Sequence, residues 1–127
     1  MTQETPREAL LAALRCWQGR DYAALALRVR PAQREPTRRE VQEVRLAYRQ
    51  EILRGFRILD TRDTDPAAAS VDTELLLTQG GEWLLVRRRY RMVYLDGSGR
   101  PVDRTRPEGR WIPHTTYALP GPTPLLA

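Results

Sequence analysis

The chain has 127 residues, 41% of them hydrophobic and 29% charged, and a formal net charge of +5. Such a length bounds it to one domain, able to bury about two-thirds of its unfolded surface, and the composition is ordinary for a soluble globular protein. Its apolar runs are too short to span a membrane, and its single cysteine excludes an internal disulfide and a cysteine-based metal cluster.

The opening stretch MTQETPREALLAAL lacks the basic leader and long apolar core of a secretory signal, so a cytoplasmic location is expected. All 21 basic residues are arginine. Arginine used so uniformly, beside abundant Ala, Leu and Pro, points to biased codon composition before it points to a polyanionic partner.

In chain order, Thr5-Pro6-Arg7-Glu8 carries the spacing of a capped helix start, with Thr5 as N-cap and Glu8 closing a capping box. Leu10, Leu14 and Trp17 then recur on one face, and Gly19 suits the end of the helix. Asp21 caps a second, shorter helix with Tyr22, Leu25, Ala26 and Val29 on its apolar face. It stops before Pro31, because the residue preceding proline is pushed out of helical geometry. Thr37 and Glu40 repeat the capping box. A third helix follows, expected to reach about Leu53, with Val41, Val44, Tyr48 and Ile52 as its main stripe, Leu46 and Leu53 as a second, and Gly55 ending it.

After Gly55 the period changes to two. Strands are expected over 56–63, 70–78, 82–95 and 109–119, with a short paired segment near Val102. The domain then covers 1–119, and 120–127 forms a proline-rich extended tail.

Gly80-Gly81 marks a two-residue hairpin loop. It pairs Thr78 with Trp83, Leu76 with Leu85, Glu74 with Arg87 and Asp72 with Arg89 on one side. On the other side it pairs Leu77 with Leu84, Leu75 with Val86, Thr73 with Arg88 and Val71 with Tyr90. The second side is apolar enough to be covered by the helices, and Arg88 interrupts it. A guanidinium keeps its charge and has five donors to satisfy, so an inward Arg88 needs a carboxylate, carbonyls, water or a bound anion. Asp60 is one such partner. On the first side, Leu76, Trp83 and Leu85 form an apolar end suited to contact with a second copy.

Three helices followed by a long curling antiparallel sheet resemble the NTF2-like (cystatin-like, SnoaL-type) α+β cone. The likeness rests on ALRCWQGRDYAALALRVRP and on TELLLTQGGEWLLVRRRYRMVYLDGSGRPVD with the later EGRWIPHTTYAL. The resemblance implies three helices packed on a curved antiparallel sheet, an interior pocket, and a homodimer through the outer sheet face. Arg88, Tyr90, Tyr48 and Trp17 are then the expected pocket residues, and the ligand is a small apolar molecule with an anionic group near Arg88. An enzyme of isomerase, dehydratase or hydrolase type is the alternative. Its acid–base candidates are His114, Asp60 and Tyr22, and it requires His114 in the same cavity as Arg88.

No metal or cofactor is expected, since one His and one Cys lie far apart and no carboxylate cluster has ligand-loop spacing. A nucleic-acid module is a further alternative, resting on Arg28, Arg30, Arg34, Arg38 and Arg39 and on Arg87, Arg89 and Arg91. Interleaved Glu35, Glu40, Asp72 and Glu74, and the lack of evident stacking aromatics, argue against it.

Overall fold

The computed structural model describes residues 4–32 and 34–120. From residue 121 onward the expected tail lies outside them. The element order is α1 (Pro6–Gln18), α2 (Tyr22–Val29), α3 (Arg38–Tyr48), β1 (Ile52–Asp65), β2 (Ala68–Gln79), β3 (Glu82–Leu95) and β4 (Arg110–Leu119). The strands form one antiparallel sheet in the order β1-β2-β3-β4. It is curved and unclosed, and the three helices cover one face, giving an α+β fold.

Both capping boxes form. The Thr5 hydroxyl accepts from the Glu8 amide at 3.1 Å while Glu8 accepts from the Thr5 amide at 3.0 Å, and Thr37 and Glu40 do the same at 3.2 and 2.9 Å. The helix α1 lies on β1, β2 and β4; α2 lies on α1 and β4, and α3 packs on α2. Leu10, Leu14, Trp17, Leu25, Leu53, Val71, Leu75, Leu77 and Met92 make the core between these layers. Thr73 is fully buried there, its hydroxyl donating to the Arg88 carbonyl at 2.9 Å.

The β2–β3 register is the one that the Gly80-Gly81 turn dictates, from Gln79 opposite Glu82 to Val71 opposite Tyr90. Both turn glycines have positive φ, +57° and +86°, as a two-residue turn matched to strand twist requires.

Two boundaries differ from expectation by more than two residues. The helix α3 ends at Tyr48, and Ile52 and Leu53 already belong to β1, where Leu53 is buried against Leu77. With Leu53 on the sheet, the second stripe of α3 has no apolar partner, and Leu46 is exposed. The strand β1 also begins earlier and carries register shifts at Leu53/Gly55, Ile58/Asp60 and Asp63/Asp65. Each shift adds one residue and reverses which side of the sheet the following residues occupy.

Candidate functional site

The interior places four expected residues together. Trp17 and Tyr48 meet edge to face with ring centroids 5.3 Å apart, and the Trp17 indole N–H donates to the carbonyls of Glu51 (3.0 Å) and Tyr48 (3.3 Å). Tyr90 closes the same space from β3. The cavity bordered by Trp17, Tyr48, Tyr90, Leu10, Leu14 and Leu25 measures about 10 Å³, at most one water. Tyr90 is buried there, and burial pushes its hydroxyl up to about 12 although the Arg88 cation beside it pulls the other way. Burial likewise raises Tyr48.

Arg88 points to this face and is satisfied within the chain. Its Nη2 donates to Glu51 Oε2 at 2.8 Å, with both side chains about two-thirds or more covered (26% and 31% exposed). Burial works against the Arg88 charge, but the Glu51 carboxylate and the Tyr90 hydroxyl outweigh it, so its pKa lies above the ordinary arginine value. The partner is Glu51, in the turn after α3, and Asp60 has no part in it. Past the shift at Ile58/Asp60, Asp60 sits opposite Asp72 on the uncovered face and pairs with Arg62 at 3.4 Å.

His114 lies on the far side of the sheet. The β3–β4 register passes from Arg91–Thr115 to Met92–Pro113, so His114 is the extra residue of a bulge. Pro113, with no N–H to give the ladder, sits next to it. His114 lines an open groove of about 440 Å³ with Arg91, Val93, Leu95, Pro101, Thr115 and Tyr117. The sheet therefore separates it from Arg88. Tyr22 is half-buried on α2, packed against the core. Cys16 is half-buried, and burial followed by the nearby Asp21 carboxylate raises its thiol, the reverse of an activated nucleophile. Among the described residues no group of three or more His, Cys, Asp or Glu could hold a metal, and no helix is long and apolar enough to cross a membrane.

The uncovered face is organised by charge. Glu74 accepts from Arg57 Nε at 2.9 Å and from Arg87 Nε at 3.2 Å, bridging two strands. Asp72 accepts from Arg89 through Nε (2.7 Å) and Nη2 (3.1 Å), and Arg62 approaches it at 3.6 Å. These bonds hold both carboxylates low, the Arg57 and Arg89 contacts being the largest causes. The two signs are layered. The acids are only 11% and 15% exposed, while Arg57, Arg62, Arg87 and Arg89 are 66%, 55%, 39% and 35% exposed. Solvent meets guanidinium above carboxylate.

At the hairpin end, Trp83 is 41% exposed beside half-buried Leu76 and Leu85, and the Arg54 guanidinium stands 5.7 Å from its ring centre. Tyr117, 52% exposed, faces Arg89 across β3 and β4. Sequence reading had missed Tyr117 as an exposed aromatic and Glu51 as the partner of Arg88. Alternation along β4 would have placed Tyr117 with buried Trp111, and the extra residue at His114 turns it outward instead.

Comparison of the chain with known protein families, with curated proteins and with solved structures finds no match.

Proposed function

We propose that this chain is a binding or assembly domain of NTF2-like build that recognises an acidic protein segment on its uncovered sheet face. The observation that carries this reading is the layering of exposed guanidiniums over shielded carboxylates. Glu74 engages only the Nε of Arg57 and Arg87 by hydrogen bond, so it orients both side chains and leaves their terminal amino groups to a partner. A polyanion meets charges already fixed in place and saves part of the ordering cost. Arg87 and Arg89 are two residues apart on β3, so their backbone positions are about 6–7 Å apart, the same-side spacing of an extended peptide.

Single-stranded nucleic acid needs successive aromatic faces for its bases. Here Arg54 occupies a face of Trp83, and among the described residues Tyr117 is the other large exposed ring on this face. The interior is a weaker candidate, since a 10 Å³ space and the Arg88–Glu51 pair leave little for a ligand to fill or neutralise. The enzyme alternative needs His114 beside Arg88, and the sheet lies between them. A second copy is favoured at one place, the apolar end at Leu76, Trp83 and Leu85, where Trp83 is exposed.

The test is fluorescence anisotropy with labelled polyglutamate and with a labelled oligothymidylate, each titrated in salt. One variant replaces Arg57, Arg62, Arg87 and Arg89 by glutamine and Asp72 and Glu74 by their amides. A control, Arg38→Gln with Arg39→Gln, loses the same net charge from α3. Polyglutamate is expected to bind the parent with affinity falling steeply in salt, the control to follow the parent, and the sheet variant to lose at least about tenfold. Equal losses in both variants would show that net charge governs binding and remove the surface reading. Tighter binding of the oligonucleotide would replace it with the nucleic-acid module.

A further inference from the structure

The groove on the other end of the same face holds a different feature. Along β2 the outward residues are Glu74, Asp72 and Ser70, and along β3 they face Arg87, Arg89 and Arg91. The first two rungs are acid–arginine pairs. The third is not. Arg91 stands opposite Ser70 on one side and Thr115 on the other, and no carboxylate among the described residues pairs with it.

Next to this unmatched cation the β4 bulge turns His114 out beside Thr115, as bulges do when they re-aim a side chain. The Thr115 hydroxyl is 3.5 Å from that of Tyr117. Val93 and Leu95, each under 10% exposed and packed with Ile112, form an apolar floor, and Pro101 and Gly99 stand at its end. The resulting groove of about 440 Å³ falls in the size range of small-molecule sites, about 300–1,000 Å³. It joins an apolar floor, an exposed ring, hydroxyl and imidazole groups and one arginine fork with no internal anion.

We propose that this groove is a binding site for a small organic anion, a carboxylate or phosphate ester on a flat apolar body. The head group pairs with Arg91, where a guanidinium fork matches two oxygens of either group. The apolar body lies on Val93 and Leu95 with Tyr117 beside it. His114 and Thr115 supply the polar contacts that fix its orientation. Trp83 is eight residues from Arg91 along β3, roughly 26 Å in a strand, so the site is separate from the apolar end of the face.

Nitrogen-15 NMR titrations with benzoate, phenyl phosphate and neutral benzamide test it. Benzoate or phenyl phosphate should give saturable shifts at the amides of Arg91, His114, Thr115 and Tyr117, and which of the two binds more tightly separates the carboxylate from the phosphate source. Benzamide should bind at least about tenfold more weakly. Arg91→Gln should lower the anion affinity by a similar factor. Ser70→Asp should do the same by supplying the missing acid of the third rung, while its unfolding midpoint stays equal to or above the parent's. That midpoint separates loss of the site from loss of the fold. The proposal is overturned if neither anion gives saturable shifts, if benzamide binds as well as the anions, or if Arg91→Gln and Ser70→Asp leave the affinity unchanged.

Discussion

At the scale of single residues, the decisive side chain is Arg88. Its position opposite Thr73 turns it toward the helices, where a charge without a partner would cost several kcal/mol. Glu51 removes that cost and in doing so occupies the guanidinium that a ligand would otherwise use. The pair also ties the turn after α3 to the middle of β3, because the Glu51 carbonyl accepts from Trp17 while its carboxylate accepts from Arg88. Glu51→Gln should therefore destabilise the fold by about 1–2 kcal/mol, and Arg88→Met should cost less. In the double variant the two losses should fall short of their sum by about 1 kcal/mol, because each single change already removes the shared contact. Urea unfolding of the four proteins measures this. Strict additivity would mean that the two groups do not depend on each other in solution.

At the scale of elements, the informative segment is the start of α3. Glu40 closes the capping box on Thr37 and also takes Arg34 and Arg30 from the link that follows α2. The Arg34 hydrogen bond and then the Thr37 amide hold its carboxyl down to about 2, against an ordinary value of about 4.3. A depressed acid stabilises the folded state fully above its unfolded pKa and loses that contribution as pH falls toward its folded one. The stability difference between the parent and Glu40→Gln should then be constant from neutral pH to about 5 and shrink steadily toward pH 2. Urea midpoints at successive pH values read it directly, and a gap independent of pH would contradict the assigned contacts. Capping boxes of this kind are visible as Thr-x-x-Glu, and the β2–β3 register is visible as Gly-Gly between alternating runs, because both depend on contacts close in sequence. The end of α3 was not legible, since the spacing from Tyr48 to Ile52 fits a helix as well as a turn leading into a strand. Pro113 is a legible sign of the edge and the bulge that β4 carries. The three register shifts in β1 were not legible, and the one between Ile58 and Asp60 reverses the parity that would place Asp60 beside Phe56. Asp60 moved to the outer face for that reason. The Glu51 contact is formed across 37 positions, so no local spacing in the sequence marks it.

At the scale of the whole molecule, the two faces of the sheet divide the work of folding and recognition. The covered face is filled by Trp17, Leu25, Leu75, Met92 and their neighbours, and leaves about 10 Å³ beside Tyr48 and Tyr90. The other face carries no helix among the described residues, and its charge is unevenly spread, with the arginine ladder in the middle and apolar Leu76, Trp83 and Leu85 at the hairpin end. This arrangement limits how two copies can meet. Superposing the ladders would bring exposed guanidiniums together and repel, whereas a two-fold axis through the hairpin ends joins the apolar residues and keeps the ladders apart. Three side chains of this size supply less than the ~800 Å² per partner of a standard interface. Self-association through this patch should therefore be weak, with mass rising gradually with concentration in sedimentation equilibrium. Trp83→Ser removes the largest exposed ring of the patch and should shift that rise to at least about tenfold higher concentration, with little change in the urea midpoint of the monomer because Trp83 is already 41% exposed. Added salt should strengthen association of the parent by screening the two ladders. A mass that stays monomeric throughout, or a dimer that Trp83→Ser leaves intact, would place the assembly surface elsewhere.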